Sequence, residues 1–188
     1  MNMDDRIGSN DALLVIDVQN DFCPGGALPI DAGDAILPRV NALIDEATRS
    51  NALVVASRDW HPPGHVSFIE QGGPWPRHCV QNESGAAFHR DLKLPSSALI
   101  VTKGDRPDFD QYSALDRTGL ADELKRRKAQ RVWICGLALD VCVKATALDS
   151  IAAGFPTLLV TSASAPVSPE GGAAALDELA RAGVQFVA

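Results

Sequence analysis

Cysteine is sparse in this sequence. Its 188 residues hold four, Cys23, Cys79, Cys135 and Cys142, with no CxxC pair and far below the density of a disulfide scaffold. A small secreted fold stapled by bridges is therefore excluded. Each thiol is free on this reading, and a small buried hydrophobe is the ordinary explanation for any one of them. Positive charge is also short, since 17 Lys and Arg against 24 Asp and Glu give a net charge of -7. Nucleic-acid binding draws on clustered Lys and Arg, so no nucleic-acid partner is expected. The one basic run, residues 125–128, falls late in a predicted helix, where cations complement the macrodipole. No apolar stretch approaches the roughly 20 residues that cross a bilayer, because Asp, Gly or Lys interrupts the longest ones. The first ten residues are acidic and polar where a secretory signal would be basic and then apolar. No membrane partner and a cytoplasmic setting are the expectation.

What is present is the composition of an ordinary globular protein, 46% hydrophobic and 22% charged, at a length that suits one domain over residues 1–188. Residues 12–18 read ALLVIDV, a nearly continuous apolar run that suits a parallel strand covered on both faces. Similar runs at residues 53–56, 98–102, 132–135, 157–161 and 184–187 bring the strands to six. Between them, Ile36, Val40, Leu43, Ile44 and Ala47 share one helix face, with Pro38 in its first turn. A second helix is predicted over residues 115–127. A third follows Asp140, with Val141, Ala145, Leu148, Ile151 and Ala152 inward and Gly154 as its stop. The last starts at the cap Ser168 with Pro169 behind it and ends at Gly183. Alternating strands and helices imply an α/β fold, a doubly wound six-stranded parallel sheet with helices on both faces. Residues 59–93 form a long irregular exception, and a loop of that length in a compact domain is usually functional.

Ligands of such sheets bind beyond the carboxyl ends of the strands. Asp17 ends the first strand, Lys103 follows the third, and Cys142 opens the helix after the fourth. Taken singly these are a loop cap, a surface lysine and a small core residue. Taken together they are a base, a cation and a nucleophile. A helix start and a nearby ammonium both favour the thiolate, so a lowered thiol pKa is expected for Cys142. Asp17 then accepts the thiol proton and returns it to a departing amine. The second constellation is Asp59, His61, His65 and His78. Asp59 and His61 sit two apart on an extended segment and point to one side, and carboxylate with imidazole suits zinc, iron or manganese. His89 reads as a surface histidine. Phe22, Trp60, Phe68 and Trp75 lie beside these candidates in a chain that is only 5% aromatic, which suits a flat ring substrate, although Trp60 and Phe68 also read as core.

The segments DVQNDFCPGG from Asp17, RDWHPPGHVSF from Arg58, WPRHCV from Trp75, TKG from Thr102 and CGLALDVCV from Cys135 occur in this order. Through them the chain resembles, nearly end to end, the nicotinamidases of the isochorismatase-like cysteine hydrolases. The resemblance implies an Asp17, Lys103 and Cys142 triad, and one divalent ion, zinc ahead of iron or manganese, on Asp59, His61 and His78. His65 matches a position that ligates metal in some members only. It further implies that Phe22 and Trp75 sandwich a pyridine ring. A cis peptide before Ala138 would turn the backbone N–H groups of Ala138 and Cys142 toward the substrate oxygen. The implied reaction is hydrolysis of nicotinamide, and of pyrazinamide, to the acid and ammonia through a cysteine thioester, in pyridine nucleotide salvage. The alternatives are a related amidase acting on a carbamoyl or ureido compound and a catalytically silent binding member. Homo-oligomerisation stays open. One departure is Leu139, where the family commonly has Thr.

Overall fold

The computed structural model describes residues 6–188. Part of the acidic start therefore lies outside the described residues. Six parallel strands, β1 (Asp11–Ile16), β2 (Leu53–Asp59), β3 (Leu99–Lys103), β4 (Arg131–Leu137), β5 (Thr157–Ala165) and β6 (Gln185–Val187), form one sheet in the order β3-β2-β1-β4-β5-β6. The chain therefore steps outward one way from β1 and the other way from β4. The crevice between these two central strands is the topological switch point, where this architecture binds ligands.

The central strand shows why apolar runs rather than alternation mark this sheet. Leu13 and Val15 enter one core with α1 (Leu37–Arg49), through Val40, Leu43, Ile44 and Ala47. Ala12, Leu14 and Ile16 enter the opposite core, with Leu120 and Leu124 of α2 (Leu120–Arg126), Ala147 of α3 (Lys144–Ala152) and Leu179 of α4 (Pro169–Ala182). Both faces are buried, and each fully buried Leu, Ile or Val contributes about 1.5 to 3 kcal/mol. No helix of the described residues is long and apolar enough to cross a membrane.

Two helices differ from the sequence reading. The second begins at Leu120 rather than at residue 115, because Gly119 takes φ +78 and Thr118 Oγ1 accepts from Leu120 N at 3.2 Å. The preceding residues form a turn in which Thr118 Oγ1 donates to Ala114 O. The third is entered through a π-helical turn over Leu139–Val143. That wider turn rotates the helix relative to an ideal 3.6 period, so Thr146, Ala147 and Ser150 face inward. Val141, Leu148 and Ile151 are only partly buried, and Ala152 is exposed. α4 is capped as expected, with Gly171 N donating to Ser168 Oγ at 3.0 Å and Gly183 at φ +91. The basic run ends α2 in solvent, where Arg126 and Arg127 each pair with Glu123 at 2.6 Å.

Candidate active site

Three chain segments reach the switch-point crevice from different strands. β1 stops at Ile16 because Asp17 takes φ +47, which lifts its side chain out of the sheet alternation and beneath the crevice. Lys103 is the last residue of β3 and is fully buried. Cys142 lies in the π-helical turn after β4, beyond a cis peptide between Leu137 and Ala138. Ala138 O accepts from Val141 N and Val143 N, which starts the turn and brings the sulfur over the strand ends.

The three side chains meet. Lys103 Nζ is 2.8 Å from Asp17 Oδ2, 2.5 Å from Asp59 Oδ1 and 3.4 Å from Cys142 Sγ. Ser57 Oγ donates to Asp17 Oδ1 at 2.7 Å. Asp17 Oδ2, although within ion-pair distance of Lys103, receives no aligned hydrogen bond among the described residues. It is a buried acceptor with a lone pair open, and an Asp17 oxygen lies within 4.8 Å of the Cys142 sulfur.

Electrostatics corrects one expectation. Burial pushes the Cys142 thiol well above its ordinary pKa, and Asp17 and Asp59 add to the rise that Lys103 opposes. Burial is the largest cause, and with the two carboxylates it outweighs the ammonium, so the resting sulfur favours the thiol over a pre-formed thiolate. The other thiols are also raised by burial, Cys23 to about 11 and Cys135 to about 12, with Cys79 well above the usual value. Acidity therefore does not single out Cys142; its contact with Lys103 and its nearness to Asp17 do. Burial raises Asp17 as well, with Lys103 opposing. Burial alone would raise Asp59, yet Lys103 and His61 hold it low.

Beside the triad, Asp59, His61 and His78 bring one donor atom each within 4.8 Å of one another, all three residues buried. His61 Nδ1–H donates to Gly104 O at 2.9 Å and His78 Nδ1–H donates to Pro76 O at 2.7 Å. Both rings are thereby fixed in the tautomer that leaves Nε2 as a metal donor, the usual arrangement for ligating histidines. Asp59 is held from behind by Gln19, whose Oε1 accepts from Asp59 N and whose Nε2 donates to Asp59 O, both at 2.8 Å. The donor set thus fits a divalent ion of the zinc, iron or manganese type. His65 stacks on His61 with centroids 4.1 Å apart, but both its ring nitrogens are engaged. Nε2–H donates to Phe109 O, and Nδ1 accepts from Ser67 Oγ. His89 stands outside this cluster, its Nδ1 accepting from Asp91 N.

Above these groups opens a cavity whose lining includes Phe22, Trp75, Asp59, His61, His78 and Cys142. Trp60 and Phe68 do not line it. Trp60 carries Arg58 over its ring at 4.1 Å and packs on the core shared with α1. Phe68 turns its ring toward the three clustered histidines and backs them. Tyr112, whose hydroxyl accepts from Trp75 Nε1 at 3.1 Å, and Gln111 were not singled out from sequence. The one available signal was their place shortly after Lys103. Leu139 faces away from the cavity into the second core.

A buried thiol with its own base and cation, at the switch point of a doubly wound sheet, defines a cysteine hydrolase of the α/β class. Residues 11–188 match the Isochorismatase domain family. The chain is 37% identical over 195 residues to the nicotinamidase of Escherichia coli K12, with 92% of each protein covered. The crystal structure of the pyrazinamidase of Pyrococcus horikoshii in complex with zinc is similar with a TM-score of 0.92 and 47% identity, over 95% of this chain and 98% of that one. PnC1 from L. infantum in complex with nicotinate is similar with a TM-score of 0.88 and 38% identity, over 97% and 94%. The chain belongs to the isochorismatase-like family, in its nicotinamidase/pyrazinamidase branch.

Proposed function

We propose that this chain hydrolyses nicotinamide, and pyrazinamide with it, to the carboxylic acid and ammonia through a thioester on Cys142. The observation that carries the reading is the contact of Lys103 with both Asp17 and Cys142 under a cavity bearing Phe22 and Trp75. Asp17 Oδ2 takes the thiol proton as the sulfur attacks the amide carbon. Moving the proton inside the site leaves the net charge unchanged, and Lys103 stays cationic beside both groups. The backbone N–H groups of Ala138 and Cys142 receive the developing oxyanion. Protonated Asp17 then gives its proton to the nitrogen as the C–N bond breaks, and ammonia leaves. Water attacks the thioester with Asp17 again as base, which releases the acid and restores the thiol.

Asp59, His61 and His78 would hold one divalent ion, and we assign zinc, supported by the zinc complex of the archaeal relative. When bound, such an ion would supply Lewis acidity for a ring nitrogen or a water. Phe22 and Trp75 supply aromatic surface for the ring. His65 is left out of the ligand set because both nitrogens are engaged. A cytoplasmic setting in pyridine nucleotide salvage belongs to the same proposal, supported by four free cysteines.

Ammonia and nicotinate release from nicotinamide, compared between the wild type and Cys142→Ala, tests the reading. Turnover by the wild type and none by the variant is expected. Equal rates would remove Cys142 from the mechanism. Turnover confined to aliphatic carbamoyl or ureido compounds would move the substrate to the related amidases, and no turnover of any amide would leave a binding member.

A further inference from the structure

Asp17, Asp59 and Cys142 form a second set of metal-capable donors. One atom from each lies within 4.8 Å of the others, and all three residues are buried. Two carboxylates and a thiolate are strong donors for zinc, and a sulfur held by a metal is no longer free to attack. The two donor sets share Asp59, and carboxylate-rich sites in which two ions sit about 4 Å apart are a common catalytic arrangement. What lies among the three donors is a side-chain ammonium. Lys103 Nζ donates to Asp59 Oδ1, Gln111 O and Cys142 Sγ, at 2.5, 3.4 and 3.4 Å. An ammonium has three N–H groups and no acceptor, so it can serve several such acceptors at once. Asp17 Oδ2 lies 2.8 Å from the same ammonium, without an aligned hydrogen bond among the described residues.

We infer that Lys103 holds the place of a second divalent ion and keeps metal off the nucleophile. A single positive charge neutralises enough of the buried carboxylate pair to keep the cluster folded, and it has no vacant orbital with which to bind sulfur. A zinc ion in the same place would fix Asp17 and Cys142 as ligands, so neither could pass a proton. The lysine thus confines metal to Asp59, His61 and His78 although the stronger sulfur donor lies next to them. The inference rests on the metal assignment proposed above only for the first ion.

Zinc titration of the wild type and of Lys103→Met, which keeps the length of the stem and removes the charge, tests it by equilibrium dialysis. The variant is expected to bind one equivalent more than the wild type. Cobalt in place of zinc is expected to give a thiolate charge-transfer band in the variant alone, lost in Lys103→Met with Cys142→Ser. Added zinc should slow alkylation of Cys142 by iodoacetamide at least about tenfold in the variant and leave the wild-type rate nearly unchanged. Equal stoichiometry, or a second equivalent that leaves Cys142 reactive, overturns the inference. If Lys103→Met does not fold, the wild type still decides, because protection of its Cys142 by zinc would show that Lys103 excludes nothing. A wild type that binds no zinc would instead refute the first metal site, while the difference of one equivalent would still be expected.

Discussion

His61 and Gly104 are built against each other. The ring donates Nδ1–H to the Gly104 carbonyl at 2.9 Å, and a Cβ on Gly104 would come within 2.4 Å of His61 Cε1. Gly104 also takes φ +62, so the glycine of the TKG segment serves both the backbone turn and the close approach of the ring proposed as a metal ligand. Gly104→Ala should displace His61 and weaken zinc binding about 10- to 100-fold, the range for losing a group that orients a ligand. Competition with a chromogenic chelator measures it. Unchanged affinity in the folded variant would mean that His61 does not hold the ion.

Asp17→Asn keeps the size of the side chain and the partner Ser57, but it removes the carboxylate proposed as the proton acceptor beside Cys142. Turnover of nicotinamide should fall by about 100- to 10,000-fold, the usual share of a positioned base. Zinc content should stay near one per chain, since Asp17 is not among the donors Asp59, His61 and His78. Steady-state kinetics with metal analysis on the same sample separates the two. A parallel loss of zinc would make Asp17 a structural support of the metal site rather than the base.

The acid side of the pH profile follows from the same residue. Asp17 must be ionised to take the thiol proton, and burial raises its pKa above the ordinary 3.8, with Lys103 only partly opposing. A raised carboxylate is protonated while ordinary ones are still charged, so kcat should fall as pH drops through a value above the usual carboxylate range. Burial disfavours the charge of Lys103, but Asp17 and Asp59 outweigh it and hold its pKa well above 10.5. Loss of that charge should therefore give no alkaline limb in the working range. The profile is measured at saturating substrate and zinc, and an acid limb at or below pH 3.8 would refute the assignment.

Gln111 is a buried link between the two halves of the site. Its Oε1 accepts from Gly104 N at 3.0 Å, its Nε2 donates to Asp116 O at 2.6 Å, and its carbonyl accepts from Lys103 Nζ. Gln111→Ala would leave buried backbone groups without partners, a loss of about 1 to 3 kcal/mol. It should also lower zinc affinity by freeing Gly104, the acceptor for His61. Denaturant melts and chelator competition test the pair of effects. Gln111→Glu, which keeps the acceptor and loses the donor, should restore zinc binding more than stability.

The sheet was legible because each central strand is buried on both faces and writes itself as an unbroken apolar run. Asp17, Lys103 and Cys142 were legible because strand ends locate the crevice whatever the loops do. The inward face of the third helix was not, since the π-helical turn at Leu139–Val143 breaks the 3.6 period that pattern reading assumes. The acidity of Cys142 was misjudged for a related reason. Chain position reveals a helix start and a lysine, but not the burial of the sulfur, nor that Asp17 and Asp59 share that lysine in the same buried cluster. Gln19, Ser57 and Gln111 escaped notice because uncharged polar side chains carry no signal until their partners, 40 or more residues away for the first two, are in place.

At Leu139 the resemblance leads one to expect Thr, and the packing of the leucine says which property the difference touches. The side chain is buried in the second core with Leu179 and Val143, and it does not line the cavity although Ala138 and Val141 on either side do. A threonine there would exchange apolar contact for a buried hydroxyl, a change that costs about 1 to 3 kcal/mol where no partner is supplied. Leu139→Thr should therefore lower the melting midpoint while kcat and KM for nicotinamide stay within about twofold, as expected for a change in the core and not in substrate contact. Thermal melts and steady-state kinetics of the variant provide the comparison. A marked fall in KM without loss of stability would show that the side chain at this position reaches the substrate after all.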